Sequence, residues 1–446
     1  MTNKKFKLAA MSLATAVAVS TVGPSASAVT YYLGDGSVTV DQDETRGAYS
    51  YQGKDKGDEN RTYVNEDKED NGVINVRDGN APEVVPPSTD NSDNGTEETT
   101  PTDTTTDSSG NNAENSTTTE TAPGNTITVM EDVKKTEKAD GTEGNDVKIV
   151  VDGVNVDTST QTEALPDTGS TGDKTIIKVG EGAKVDLTVK DSNLTTGGNG
   201  IDIGVNLKGE DENKGANVDL TLDHTKVNLT QNGKAGINVQ DNSNVDLTLK
   251  GENAIDGSKA TEKENILTKS VNVEGIRVGG GGAGDGSGTS AGAKTNLTIS
   301  GGVEKTETAE ADTEETESPA GGSLTISETT GGLVMADGSD VEITDGADVT
   351  IEDTKTSSST QAGRAVTQHG DLTLSGGSSL TIDGGKDNKV PHTGIGIASW
   401  DDITVEDGST LDISGAVTGI YGHQGSDANL TVEDSTLNIS DVKKGH

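Results

Sequence analysis

One alternating strand pattern recurs along this chain at a nearly constant interval, and a repeat of that length leaves few folds open. The segments VDLTV (from Val185), VDLTL (from Val218) and VDLTL (from Val245) are nearly identical, and LTIS (Leu324), VEIT (Val341), LTLS (Leu372), ITVE (Ile403) and LTVE (Leu430) follow. Apolar and polar residues alternate in each, so one side of the strand is buried and the other is wet. Eight residues on, a second strand begins: Val349 after Val341, Leu380 after Leu372, Leu411 after Ile403. A third piece, rich in glycine and small residues, precedes the next repeat, as in Ala235-Gly236-Ile237, Gly275-Ile276, Gly394-Ile395-Gly396-Ile397 and Gly419-Ile420.

From Val341 to Leu372 is 31 residues, and from Leu372 to Ile403 is 31 again, whereas Val185, Val218 and Val245 are 33 and 27 apart. The length changes therefore fall in turns. Three short strands per coil, separated by Asp-Gly, Gly-Gly and Asn/Ser turns, predict an all-β chain wound as a three-sided right-handed parallel β-helix. A lone coil cannot bury its inward Val, Leu and Ile. Stacked coils set like residues about 4.8 Å apart, which closes aliphatic columns and satisfies the backbone. A β-sandwich is the rival architecture, but three strands per 31 residues favour the solenoid.

The chain divides into four spans. Residues 1–28 read as an export signal: Lys4, Lys5 and Lys7 precede an apolar run to Val22, and Ala26-Ser27-Ala28 is a small-x-small cleavage site. Residues 29–82 hold short strand-like pieces and five of the six tyrosines, a small N-terminal module or cap. Residues 83–125 are Thr, Ser, Asn, Asp, Glu and Pro, a disordered linker by composition. Residues 126–446 form the helix. Polar insertions at 208–216, 257–269 and 304–320 enlarge its turns, and the last strands, from Leu430 and Leu437, complete only two sides of a coil. That ending is expected of a fragment, or of a final coil held by something else.

Export without a single cysteine excludes a disulfide framework and thiol chemistry. Loss of the three signal lysines takes the formal net charge from −42 to −45. Such a chain repels nucleic acid and anionic headgroups, so neither nucleic acid nor membrane insertion is expected. The expected location is outside the cell, secreted or on its surface; composition leaves the oligomeric state open. Leu165-Pro166-Asp167-Thr168-Gly169 has the form of a cell-wall sorting signal, but no apolar stretch and basic tail follow it, and it reads as coincidence.

The VDLTL, GENAI, GI and LTISGG progression between Val245 and Gly302 resembles exported β-helix proteins of Gram-positive bacteria of the carbohydrate-binding-domain and adhesin type. It is similar, more loosely, to the pectate-lyase-like superfamily. The resemblance covers roughly residues 126–440 and implies binding of acidic polysaccharide, with calcium and without catalysis.

Two constellations are candidates for a site. The acidic turns Asp337, Asp340, Asp345, Asp348, Asp353 and Asp407 offer the hard oxygens that calcium takes, although Asp-Gly is also ordinary turn chemistry. The second is a gathering of rare residues, Arg364, His369, His392, Trp400, Tyr421 and His423, in or beside the third strand of consecutive coils. His369 lies three residues before Leu372 and Trp400 three before Ile403, so the two share one register. Solvent exposure alone explains such residues; a ligand patch on one side of the solenoid is the functional reading. An enzyme is not expected: the mature chain has five arginines, one Trp and no Phe, and no Ser-His-Asp arrangement has sensible spacing. The expected function is a non-catalytic surface protein or adhesin that binds extracellular polysaccharide or a host or matrix surface. A polysaccharide lyase or hydrolase on the same scaffold, and a structural spacer, are the alternatives.

Overall fold

The computed structural model describes residues 29–33, 37–43, 48–54, 60–64, 73–78, 122–123, 125–131, 133, 147–160, 174–207, 214–231, 233–260, 273–280, 294–302, 321–355, 363–387, 390–391 and 393–443. The signal, nearly all of the linker, the 165–169 motif, most of the enlarged turns and His392 lie outside them.

Three long sheets form the faces of a three-sided parallel β-helix. One coil runs from Ser339–Thr344 on the first face to Asp348–Glu352 on the second and Arg364–Gln368 on the third. The next coil repeats it with Leu372–Leu374, Ser379–Asp383 and Ile395–Ser399, in parallel register on all three faces. The near-identical repeats pair residue for residue, Val185 on Val218 on Val245 and Leu187 on Leu220 on Leu247, all buried. Alternation thus sends Val and Leu into continuous columns and leaves Asp and Thr outside.

Described strands within 29–82 belong to the same sheets. Val29–Tyr32 pairs with Val73–Arg77, which pairs with Val147–Asp152 on the first face. On the third face, Val38–Asp43 pairs in parallel with Ile127–Val129 and antiparallel with Ala48–Lys54. These described strands thus extend the first and third sheets at their N-terminal end.

The glycine-marked third strands answer a packing need. A Cβ on Gly236 would come within 2.5 Å of Ile255 Cγ2, and one on Gly396 within 2.8 Å of Ile413 Cγ2. Gly200, Gly275 and Gly332 stand in the same relation to Val227, Ile326 and Ile351. A column of glycines on the third face therefore admits a column of branched side chains from the second. Elsewhere the first face carries an alternating charge column: Arg77, Asp152, Lys190, Asp223 and Lys250 stack in register over five coils. Arg77 Nη2 and Lys190 Nζ lie 3.2 and 3.3 Å from the two oxygens of Asp152.

Candidate functional site

The ends of the third-face strands fix the candidate patch. Inside the helix, the buried Gln368 donates through Nε2 to the carbonyls of Gly370 and Asp402, at 2.7 and 2.6 Å. One coil on, Ser399 Oγ donates to Asp401 O at 2.7 Å. These bonds pin successive corners, and the parallel ladder continues one residue beyond each strand. The amide of His369 donates to Met335 O, that of Trp400 to Gln368 O, and that of His423 to Ser399 O. His369, Trp400 and His423 are therefore vertical neighbours.

Their rings form one stack. The His369 and Trp400 centroids are 4.0 Å apart with planes inclined by 15°, and those of Trp400 and His423 are 4.9 Å apart at 21°. Both faces of the only tryptophan are thus covered by imidazoles, leaving its edge. The Arg364 guanidinium carbon lies 5.7 Å from the Trp400 ring centre. Arg364 opens a strand and pairs with Ile395, whereas Trp400 follows that neighbouring strand's end. The two long side chains must lean toward each other over Thr367 and Ala398, both shielded from solvent. Tyr421 pairs with Ala398 and is exposed.

Carboxylates border the stack. Burial raises the Asp401 carboxyl above the usual range, Asp371, Asp337 and Asp402 raise it further, and His369 opposes them. Asp340 lies near the start of the first-face strand Ser339–Thr344, and Asp371 and Asp402 immediately precede the first-face strands of the next two coils. Asp340 accepts the Asp371 amide at 3.3 Å, and Asp402 accepts the Asn429 amide and side chain at 2.8 and 2.9 Å.

The acidic turns have a structural employment. Asp345, Asp353 and Asp407 take positive φ of 51°, 49° and 55°, the left-handed corner that Asp tolerates better than most residues. Asp348 accepts the Ser379 hydroxyl of the next coil at 2.6 Å, and Asp337 is among the carboxylates around Asp401. Among the described residues no three His, Asp or Glu side chains are arranged to hold a metal ion.

Sequence reasoning missed a buried polar row on the outer side of the third face. Lys178, Asp202, Asn238 and Arg277 stack in register and are 1, 8, 7 and 7 % exposed. Asp202 accepts Asn199 Nδ2 at 2.8 Å, Asn238 Nδ2 at 2.8 Å and Gln240 Nε2 at 3.0 Å. Arg277 Nε donates to the buried Glu274. The row continues through Val334, Thr367 and Ala398 to Tyr421, so it leads to the patch. Counting residues from each third-strand glycine would have found it.

No protein-family model, curated protein or solved structure matches the chain. Among the described residues no helix is long and apolar enough to cross a membrane.

Proposed function

We propose that this is a non-catalytic extracellular surface protein whose third face holds a polysaccharide beside the last coils. The observation that carries the reading is the Arg364, His369, Trp400, His423 and Tyr421 assembly, aromatic and cationic on a chain with 2 % aromatic residues and a net charge of −42. An aromatic platform and a guanidinium are what a sugar ring and its carboxylate require. The platform is not the indole, whose faces are taken. Exposed Tyr421 and the outer face of His423 are the stacking surfaces, and Trp400 backs the His423 ring.

Charge narrows the ligand. A densely charged polyanion such as polygalacturonate would be repelled by the rod as a whole, whereas one guanidinium suits more widely spaced carboxylates, such as the one in each disaccharide of hyaluronate. The calcium-bridged acidic polymer implied by the Gram-positive β-helix proteins is the rival ligand. Retention of the full chain on immobilised hyaluronate, dextran and polygalacturonate, each with and without calcium, tests the reading. Retention on hyaluronate with no calcium requirement is the expected result, and no retention on any of the three sinks the proposal. Unsaturated, ultraviolet-absorbing sugar ends released during the same incubations mean a lyase.

A further inference from the structure

The His369–Trp400–His423 stack is built from groups whose attraction depends on protonation. A neutral imidazole against an indole is an ordinary aromatic stack. An imidazolium in the same place gains the attraction of a cation for the ring's negative face. Imidazole is the side chain that exchanges these states near neutrality. His369 stands 4.0 Å from the indole, with Asp401 interacting on its polar side and Asp371, Asp337 and Asp402 around Asp401. The cationic groups that oppose a charge there are Arg364, 5.7 Å from the Trp400 ring, and His423 across the indole. Asp401 favours a charge on His369, while Arg364 opposes it. Proton uptake at His369 also favours an ionised Asp401, so acidification strengthens that attraction and the cation–π contact together.

We propose that this stack is a proton-controlled gate on the glycan patch: neutral and weakly attractive to carboxylates at slightly alkaline pH, cationic and binding-competent in mild acid. The inference rests on the glycan reading above and adds its regulation. It also gives the covered tryptophan a role that a sugar platform does not, as the π surface shared by two imidazoles.

Trp400 is the only tryptophan, so the emission of the intact protein reports on this stack alone. An imidazolium quenches a stacked indole more strongly than an imidazole does. Emission is expected to fall about twofold from pH 8 to pH 5, within the range in which imidazoles titrate, with His369→Gln removing most of the change. His423→Gln, at an exposed position, is the second variant and is expected to remove part of it. Flat emission across this range, or an unaltered titration in both variants with circular dichroism intact, overturns the gate. Retention on hyaluronate, whose carboxylates stay ionised at both values, is then compared at pH 5.5 and 7.5. Several-fold stronger retention at the lower pH, lost in His369→Gln, supports the gate. Equal retention overturns it and leaves glycan binding standing; absent retention at both pH values overturns the gate together with hyaluronate as the ligand.

Discussion

Ile413 Cγ2 occupies the space into which a side chain on Gly396 would grow, 2.8 Å from the ideal Cβ position. Gly396→Val is therefore expected to overpack the junction of the second and third faces and to cost about 1–3 kcal/mol. Gly396→Ala should cost less, because Ala365 already carries a buried Cβ one coil away in the same column. Denaturant midpoints of the two variants measure the difference. Equal midpoints for Val and the wild type would falsify the column packing.

Asp202 accepts three side-chain amide hydrogen bonds in a buried row beside Lys178. Asp202→Ala strands those donors away from water and is expected to destabilise by about 2–4 kcal/mol. Asp246→Asn is the contrast. It stands exposed on the first face at the end of a column of three aspartates, Asp186, Asp219 and Asp246, and removing this end charge should change stability by less than about 0.5 kcal/mol. Comparable losses at both sites would mean that burial on the third face is not what matters.

Acid should act on stability in two directions. Burial raises Glu352, and Asp353, Asp383 and Glu328 add to the rise; Asp401 is raised likewise. Carboxyls held above their unfolded values bind protons more tightly when folded, so stability grows as pH falls from neutral through their folded values. Asp256 is the reverse case. Its burial acts upward, but bonds from Ser258 and the Lys226 ammonium outweigh it and hold the carboxyl below the usual range. Its contribution is present above the unfolded carboxylate value and lost as pH falls through the lower folded one. Thermal unfolding should therefore peak in mild acid and decline below about pH 4. A melting temperature that falls steadily from pH 7.5 downward contradicts this balance.

Tyr421→Ala should weaken glycan retention with little effect on stability, since the side chain is exposed. Trp400→Ala removes two ring contacts and should lower both, the stability by about 1–2 kcal/mol. Undiminished retention in Tyr421→Ala, measured beside the wild type on hyaluronate, places the sugar elsewhere.

The coil and its three faces were legible because alternation survives even where turns grow, and a 31-residue step holds from Val341 through Leu372 to Ile403. The His369 and Trp400 register was legible for the same reason, both lying three residues ahead of matching strands. Their stacking with His423 was harder to read, because that coil is shorter and His423 follows Trp400 by only 23 residues. The covering of the indole on both sides depends on ring orientation, which spacing does not carry. Lys178, Asp202 and Arg277 escaped notice since an outward charged residue in an alternating strand looks solvated. The corner aspartates read two ways for a related reason: a carboxylate chosen for left-handed backbone and one chosen for a cation are the same letter.

The column Arg77, Asp152, Lys190, Asp223, Lys250 has a parity. Excising one interior coil would bring two like charges into register, for instance Arg77 against Lys190, while excising two neighbouring coils would leave the signs alternating. Core columns are far less sensitive to such edits, because every coil turns aliphatic residues inward. The rod can thus lengthen or shorten here without electrostatic cost only in even steps, and the outer surface, not the core, keeps that count.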